Sequence, residues 1–256
     1  FYPLSILMLT KIKDILIIST PYDLPLFTKL LGDGSHLGMS ITYCSQPKPE
    51  GIAQAFILGK EFVGESNSAL ILGDNIFFGE NFSSRLQNAA QNKLGATIFG
   101  YQVPDPERFG VINLDDSQKP ISLEEKPSKP KSNYAVTGLY FYDNQVVDMA
   151  TELTPSKRGE LEITDINSKY LNQGQLQVSL LGTGFTWSDA GTQDSLINTG
   201  HLVKSHQEQQ AMVIACIEEI AYKNQWISFE QFTELAEQYP NSQYGKFLKG
   251  IAAVKI

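Results

Sequence analysis

The sequence predicts an α/β fold with a central mixed, mainly parallel sheet flanked by helices, and further helices at its C-terminal end. Three observations carry this expectation. Short apolar runs at 14–19, 40–45, 68–73 and 95–102 alternate with helical patterns at about 24–31, 51–63 and 81–93. Strands alternating with helices of that length imply right-handed crossovers between parallel strands. Beyond Val103 the texture changes: FGVINLD, ISLEEK and YAVTGLYFY are short strand-like runs separated by Pro, Lys and Ser, which adds antiparallel or mixed sheet. From Gln193 the pattern is mostly helical, ending in SFEQFTELAEQY and SQYGKFLKGIAAV.

The elements follow in order. YPLSILMLTKI, apolar at 4, 6, 7, 8, 9 and 12, reads as a helix. A parallel α/β domain normally opens with a strand and a loop, so the expectation is a chain that starts inside its first helix. LLGDGS at 30–35 stops the second helix. KPSKPKS at 126–132 is an exposed loop; helices at 143–152 and near 162–172 then precede a strand at 175–181. No internal repeat or low-complexity segment is visible. Residues 1–200 are expected to form the core, and 201–256 a C-terminal helical segment of the same unit.

Composition narrows the function classes. Hydrophobic residues make up 42% and charged residues 19%, ordinary for a globular protein. The longest apolar runs are too short to cross a bilayer. Cys44 and Cys216 have no metal-type spacing, which suits a reducing cytoplasm and argues against a zinc site or a disulfide scaffold. A net charge of −8 with no Lys/Arg stripe argues against nucleic-acid polymers while leaving a single nucleotide open.

Six stretches carry candidate chemistry. ALILGDNIFFG (69–79) sets Asp74 and Asn75 at the mouth of a core-like strand. A carboxylate there needs a positive side chain, a hydrogen-bond network or a metal ion, or else it simply makes a turn. FTWSDAGT (185–192) offers Trp187 and Asp189 between a strand and a long helix, so Asp189 either caps the helix or joins Asp74 on a hard cation such as Mg²⁺. YCSQPKPEGIAQAF (43–56) runs through Gln46, Pro47, Pro49 and Gly51 into a helix. That is either a rigid turn or a base-binding loop in which Gln46 matches a pyrimidine edge and Gly51 admits a close approach. ERFGV (107–111), SLEEKP (122–127) and RGELEITD (158–165) add Gly110, Glu125, Lys126, Arg158 and Glu160. An adjacent Glu-Lys pair either solvates a surface or holds sugar hydroxyls and a phosphate. No Ser, Cys or His nucleophile constellation stands out, which points to a reaction in which the substrate itself attacks.

Together these stretches resemble the sugar-phosphate nucleotidylyltransferases. YPLSILMLTKIKDILIIST, LPLFTKLLGDGS, QPKPEGIAQAF, ALILGDNIFFG, DPERFGV, ISLEEKPSKPKSNYAVTGLYFYD, RGELEITDIN and CIEEIAYKNQWI follow in order along essentially the whole chain. The resemblance implies a nucleotidyltransferase fold and a Mg²⁺-dependent transfer of a thymidylyl group from dTTP to glucose-1-phosphate. It implies that Asp74 and Asp189 hold Mg²⁺, and that Gln46, Pro49 and Gly51 line the base and deoxyribose pocket. Asn75 would help place the sugar. Gly110, Glu125, Val136 and Tyr140 would line the glucose site with Trp187, Arg158 and Glu160, and Lys126 would face the phosphate. A homotetramer in the cytoplasm is also implied.

The chain departs from the family pattern in places. The family opens with a strand and a G-G-x-G-T-R-L loop followed by a lysine, none of which is present in this sequence. The expectation is therefore a fragment with weakened fold and impaired turnover, the alternative being a non-catalytic nucleotide or sugar-phosphate binding module. Phe109 stands where the family often has Tyr, and WSDAG where it usually has Trp-Leu-Asp-Thr-Gly. Thr183 and Lys223 stand where Arg is expected in a regulatory nucleotide site.

Overall fold

The computed structural model describes residues 1–79 and 82–254. Helix α1 (Tyr2–Leu9), with proline in its first turn, leads into β1 (Asp14–Ser19), α2 (Leu24–Leu31) and β2 (Ser40–Ser45). The helix expected over 51–63 is two short pieces, α3 (Gln54–Leu58) and α4 (Lys60–Val63), divided at Gly59. A Cβ on Gly59 would come within 2.9 Å of the Ala55 carbonyl, so the break sits where the backbone closes on itself. β3 (Ser68–Ile71) and β4 (Asn75–Gly79) follow, then α5 (Phe82–Gln91). The helix expected over 81–93 therefore appears as α5, its first residue lying outside the described residues.

The second half comprises β5 (Ala96–Gln102), β6 (Gly110–Leu114), β7 (Pro120–Glu125), β8 (Tyr134–Tyr142), α6 (Gln145–Thr151), α7 (Ile163–Asn172), β9 (Leu176–Leu181) and β10 (Phe185–Asp189). Helices α8 (Gln193–Gln210), α9 (Ile217–Lys223), α10 (Phe229–Glu237) and α11 (Gln243–Val254) close the described chain.

The α/β class with a mixed sheet and flanking helices holds, with a particular balance. β8 lies at the centre, antiparallel to β5, to β3 and to β6. β9 runs parallel to β5, and β7 antiparallel to β6. Thus β3, β5, β6 and β9 all point one way, but the inserted β8 makes most neighbouring pairs antiparallel. β1 and β2 form a separate parallel pair, and β4 and β10 a separate antiparallel ribbon.

Alternation along β8 divides the core. Val136, Tyr140 and Tyr142 face one cluster with Ile98, Ile163, Ile166 and Tyr170. Ala135, Leu139 and Phe141 face the other, with Phe77, Phe82, Phe99 and Trp187. A third cluster joins Leu4, Leu7 and Met8 of α1 to Ile15, Ile41 and the helices α9–α11. Ile6 of the same helix belongs to the second cluster, so α1 is buried on two sides and couples the strands to the C-terminal helices.

Candidate active site

The β4–β10 ribbon brings the first pair of candidate residues together. Its register sets Asp189 opposite Asn75, one residue after Asp74. The N–H of Ala190 donates to the Asp74 carbonyl at 2.9 Å, tying the end of β10 to the turn before β4. A Cβ built on Gly191 would lie 3.0 Å from Asp189 Oδ1 and 3.2 Å from Asp74 Oδ2, so both carboxylates flank one glycine. Partial burial raises the Asp189 pKa above the ordinary carboxylate value; the Gly191 N–H opposes this, the Asp74 charge adds to it, and Arg108 opposes it.

Three sequence expectations change here. Trp187 and Asp189 lie within a strand rather than just after one. Asp189 does not cap the following helix; Thr192 does, in a reciprocal capping box with Ser195. The buried polar residue is also not the acid. Asp74 is exposed in the turn, while Asn75 is 2% exposed. The Asn75 amide oxygen accepts from Trp187 Nε1 at 2.6 Å and from the Gly138 N–H at 2.9 Å, and its Nδ2 donates to Asp74 Oδ1 at 2.9 Å. A buried polar side chain survives when it is satisfied in this way, and the arrangement fixes where Asp74 points.

Beside Asp189 opens a cavity of about 330 Å³, lined by Pro104, Asp105, Arg108, Phe109, Trp187 and Asn198 among others. Arg108 is a charged residue the sequence reading passed over. It occupies a 3₁₀ turn, Pro106–Arg108, and sits 3.5 Å from Asp189.

A second group forms where β6, β7, β8 and the start of α7 meet. The register pairs Gly110 with Glu125. A Cβ on Gly110 would meet Thr164 Oγ1, Glu125 Oε2 and Val136 Cγ2 at 3.0, 3.3 and 3.6 Å, so the glycine leaves room among exactly those neighbours that a larger residue would displace. Thr164 Oγ1 donates to Glu125 at 2.5 Å. Arg158 reaches Glu125 at 3.3 Å, Glu160 at 2.9 Å and Glu162 at 3.5 Å, and the Ser156 hydroxyl donates to Glu162 at 2.7 Å. Burial lifts the Glu125 pKa against the opposing Thr164 hydrogen bond. Burial, with the Glu125 charge second, drives the Tyr140 hydroxyl pKa upward, keeping it neutral. Lys126 is exposed just after β7 in the left-handed region, φ 42°, its N–H donating to the Phe109 carbonyl. Glu162 and Thr164 were missed because a buried glutamate inside an acidic run reads as a helix start.

The third group is the loop after β2. Gln46 is half-buried; its Nε2 donates to Gln54 Oε1 at 2.6 Å, and Gln54 donates to Glu50 at 2.6 Å. Pro49 is exposed. Gly51, with φ +109°, does admit a close neighbour, and that neighbour is the chain itself: a Cβ there would be 2.3 Å from the Leu161 carbonyl oxygen. The Leu161 N–H donates to the Glu50 carbonyl, and the Ala53 N–H to that of Leu161. Gly51 therefore joins the base-loop candidate to the Arg158 segment. An open cavity of about 660 Å³, lined by Pro21, Leu24, Pro25, Thr28, Lys29 and Ser45, lies at the carboxyl ends of β1 and β2 beside Gln46.

Among the described residues no group of three or more His, Cys, Asp or Glu is arranged to hold a metal. Two adjacent carboxylates without nitrogen or sulfur do fit Mg²⁺, which takes one or two carboxylates and completes its shell with water and phosphate oxygens.

A family profile described as nucleotidyl transferase matches residues 1–206. A glucose-1-phosphate thymidylyltransferase of Neisseria meningitidis (serogroup A) is 53% identical over 97% of this chain and 86% of its own length. One from Xanthomonas campestris pv. campestris is 50% identical over 98% of this chain and 85% of its own. A Bacillus anthracis crystal structure in complex with a sucrose superposes with a TM-score of 0.72 at 43% identity, covering 78% of this chain and 80% of that one.

Proposed function

The chain belongs to the nucleotidyl transferase family, and from that premise we propose that it transfers a thymidylyl group from dTTP to glucose-1-phosphate, giving dTDP-glucose and pyrophosphate. The observation that carries the reading is 53% identity over nearly the whole chain to a protein of that activity.

In the proposed reaction a phosphate oxygen of glucose-1-phosphate attacks the α-phosphorus of dTTP in line. A P–O bond forms there as the α–β anhydride bond breaks and pyrophosphate leaves. Such transfer asks the protein for positioning and charge stabilisation rather than a covalent intermediate. Asp74 and Asp189 would hold Mg²⁺, which when bound supplies positive charge to the phosphate oxygens. Asn75 and Trp187 orient Asp74 through the hydrogen bonds described. Gly110, Glu125, Val136 and Tyr140, with Arg158 and Glu160, are assigned to the glucose ring. Glu125 and Val136 flank the space that a Cβ on Gly110 would fill, which supports this, as does the carboxylate of Glu125, which accepts a hydroxyl donor from Thr164. Lys126, exposed just after β7, is assigned to a phosphate. Gln46 and Pro49 are assigned to the base and deoxyribose, supported by the fixed amide of Gln46, while Gly51 serves that loop by letting it pack against Leu161. A homotetramer in the cytoplasm, and residues 201–256 as a helical segment of the same unit, complete the reading. The absence, among the described residues, of any helix long and apolar enough to span a membrane is compatible with it.

Pyrophosphate release measured with dTTP, glucose-1-phosphate and Mg²⁺, against UTP and CTP in place of dTTP, tests the proposal. Turnover highest with dTTP and absent without sugar phosphate is expected. Binding of both substrates with no pyrophosphate released would overturn it.

A further inference from the structure

Arg108 is built into the rim of the carboxylate pair in a way the reaction above does not use. Its Nη1 donates to Asp105 Oδ2 at 2.8 Å, while Nη2 lies 3.5 Å from Asp189 Oδ2. Only a planar fork can hold one acid with one nitrogen and lean toward a second with the other. The guanidinium stands 5.2 Å from the centre of the Phe109 ring, and Phe109 packs edge-on against Trp187 at 5.1 Å. Trp187 in turn bonds Asn75, and Asn75 bonds Asp74. The arginine, its anchor and both carboxylates thus belong to one continuous set of contacts. Its side chain is 43% exposed and faces the 330 Å³ cavity, so it can be reached and can shift. The charged groups around it are Asp105, Glu107 and Asp189.

Resting on the reading that Asp74 and Asp189 hold a divalent cation, we propose that Arg108 is a tethered counter-ion. It leans on Asp189 and competes with the metal, and Asp105 limits how far it leans. A phosphate entering the cavity would draw the guanidinium off Asp189 and free that carboxylate. Metal and phosphate would then favour each other's binding, as linkage requires. Arg108 is on this account a positioning residue that sets metal affinity.

Mn²⁺, a hard cation with similar ligand preferences whose free form is counted by electron paramagnetic resonance, is the probe. Mn²⁺ binding is measured on the chain and on its variants without nucleotide. Arg108→Gln should tighten binding about three- to tenfold, the order expected for removing one nearby unit charge at a partly exposed site. Arg108→Lys, which keeps the charge, should stay closer to the parent and serves as the folded control. Asp105→Asn should weaken binding in the parent by releasing the arginine onto Asp189, but should do little in the Arg108→Gln background. Unchanged or weaker binding in Arg108→Gln would overturn the proposal, as would an equal Asp105→Asn effect in both backgrounds. If Asp189→Asn does not reduce Mn²⁺ binding at all, the metal reading itself falls and takes this inference with it.

Discussion

Two acidic groups lie close to the candidate chemistry, each with one arginine, and they are built differently. At the β4–β10 ribbon, Asp74 and Asp189 flank Gly191, burial and then the Asp74 charge raise the cost of ionising Asp189, and Arg108 stays at the rim with its shorter contact to Asp105. At the β6–β7–α7 junction, Arg158 stands among Glu125, Glu160 and Glu162, and the hydroxyls of Ser156 and Thr164 add donors. The first group is short of positive charge and calls for a cation from outside. The second is not neutral, one arginine facing three glutamates, but that arginine and two hydroxyls already engage its carboxylates, so it suits a ligand that exchanges hydrogen bonds. Residue type alone does not separate them; the position of the arginine does.

The sharpest way to break this contrast is at the ribbon. Asp74→Asn should lower turnover in the pyrophosphate-release assay by about 100- to 1,000-fold, the range for losing a group that stabilises developing charge. It should also abolish any rise in melting temperature on adding Mg²⁺. If turnover survives, the first group is not the cation site. Gly51→Ala comes next. It forces a Cβ into the Leu161 carbonyl at a left-handed φ, and should cost about 1–3 kcal/mol in urea unfolding. Because Gly51 braces the Arg158 segment, KM for glucose-1-phosphate should rise while Mn²⁺ affinity stays the same. Equal damage to both would mean that the two groups are not separable.

Arg158→Met should cost less, about 1–2 kcal/mol, because the side chain is 37% exposed and solvent screens part of the lost pairing. Its signature is that Glu125→Gln in the same chain restores some of the stability, since fewer buried charges then lack a partner. The smallest effect concerns pH. The folded protein holds the Asp189 proton more tightly than the unfolded chain, so stability from that proton is present below the ordinary value of 3.8 and is lost as pH rises through the raised folded value. Asp189→Asn removes this loss. The melting temperature of the variant relative to the parent should climb as pH rises upward from about 3.8, then level off. A gap independent of pH would mean that Asp189 ionises as freely as in the unfolded chain.

Much of the architecture was legible in the sequence. β1, β2 and α2 fall on the residues that the apolar periodicity marks, 14–19, 40–45 and 24–31. These are local signals. The meeting of Asp74 with Asp189, which the resemblance implied, was not legible from spacing alone, because it depends on β4 and β10, two five-residue strands that pair with each other and, among the described residues, with no third strand. NIFFG is a continuous apolar run with no alternation to mark it, and FTWSD is too short and too near glycines to stand out. Gly51 was read as an opening for a ligand because a glycine shows only that something comes close. Only the fold shows that it is Leu161. Arg108 escaped notice because a 3₁₀ turn written Pro-Glu-Arg looks like an ordinary solvated loop.

The ribbon also has a consequence in time. Trp187 and Asn75 are 112 positions apart, so a ribosome adding roughly 5–20 residues per second needs on the order of 5–20 s to deliver the second strand after the first. Throughout that interval Ile76, Phe77 and Phe78, buried in the finished protein, have no strand to pair with. The nascent chain therefore carries a sticky apolar segment while a further 112 residues are added, and its site is assembled only after Asp189 has been made. Slowing translation between these two strands should lower soluble yield more than the same delay placed after Asp189.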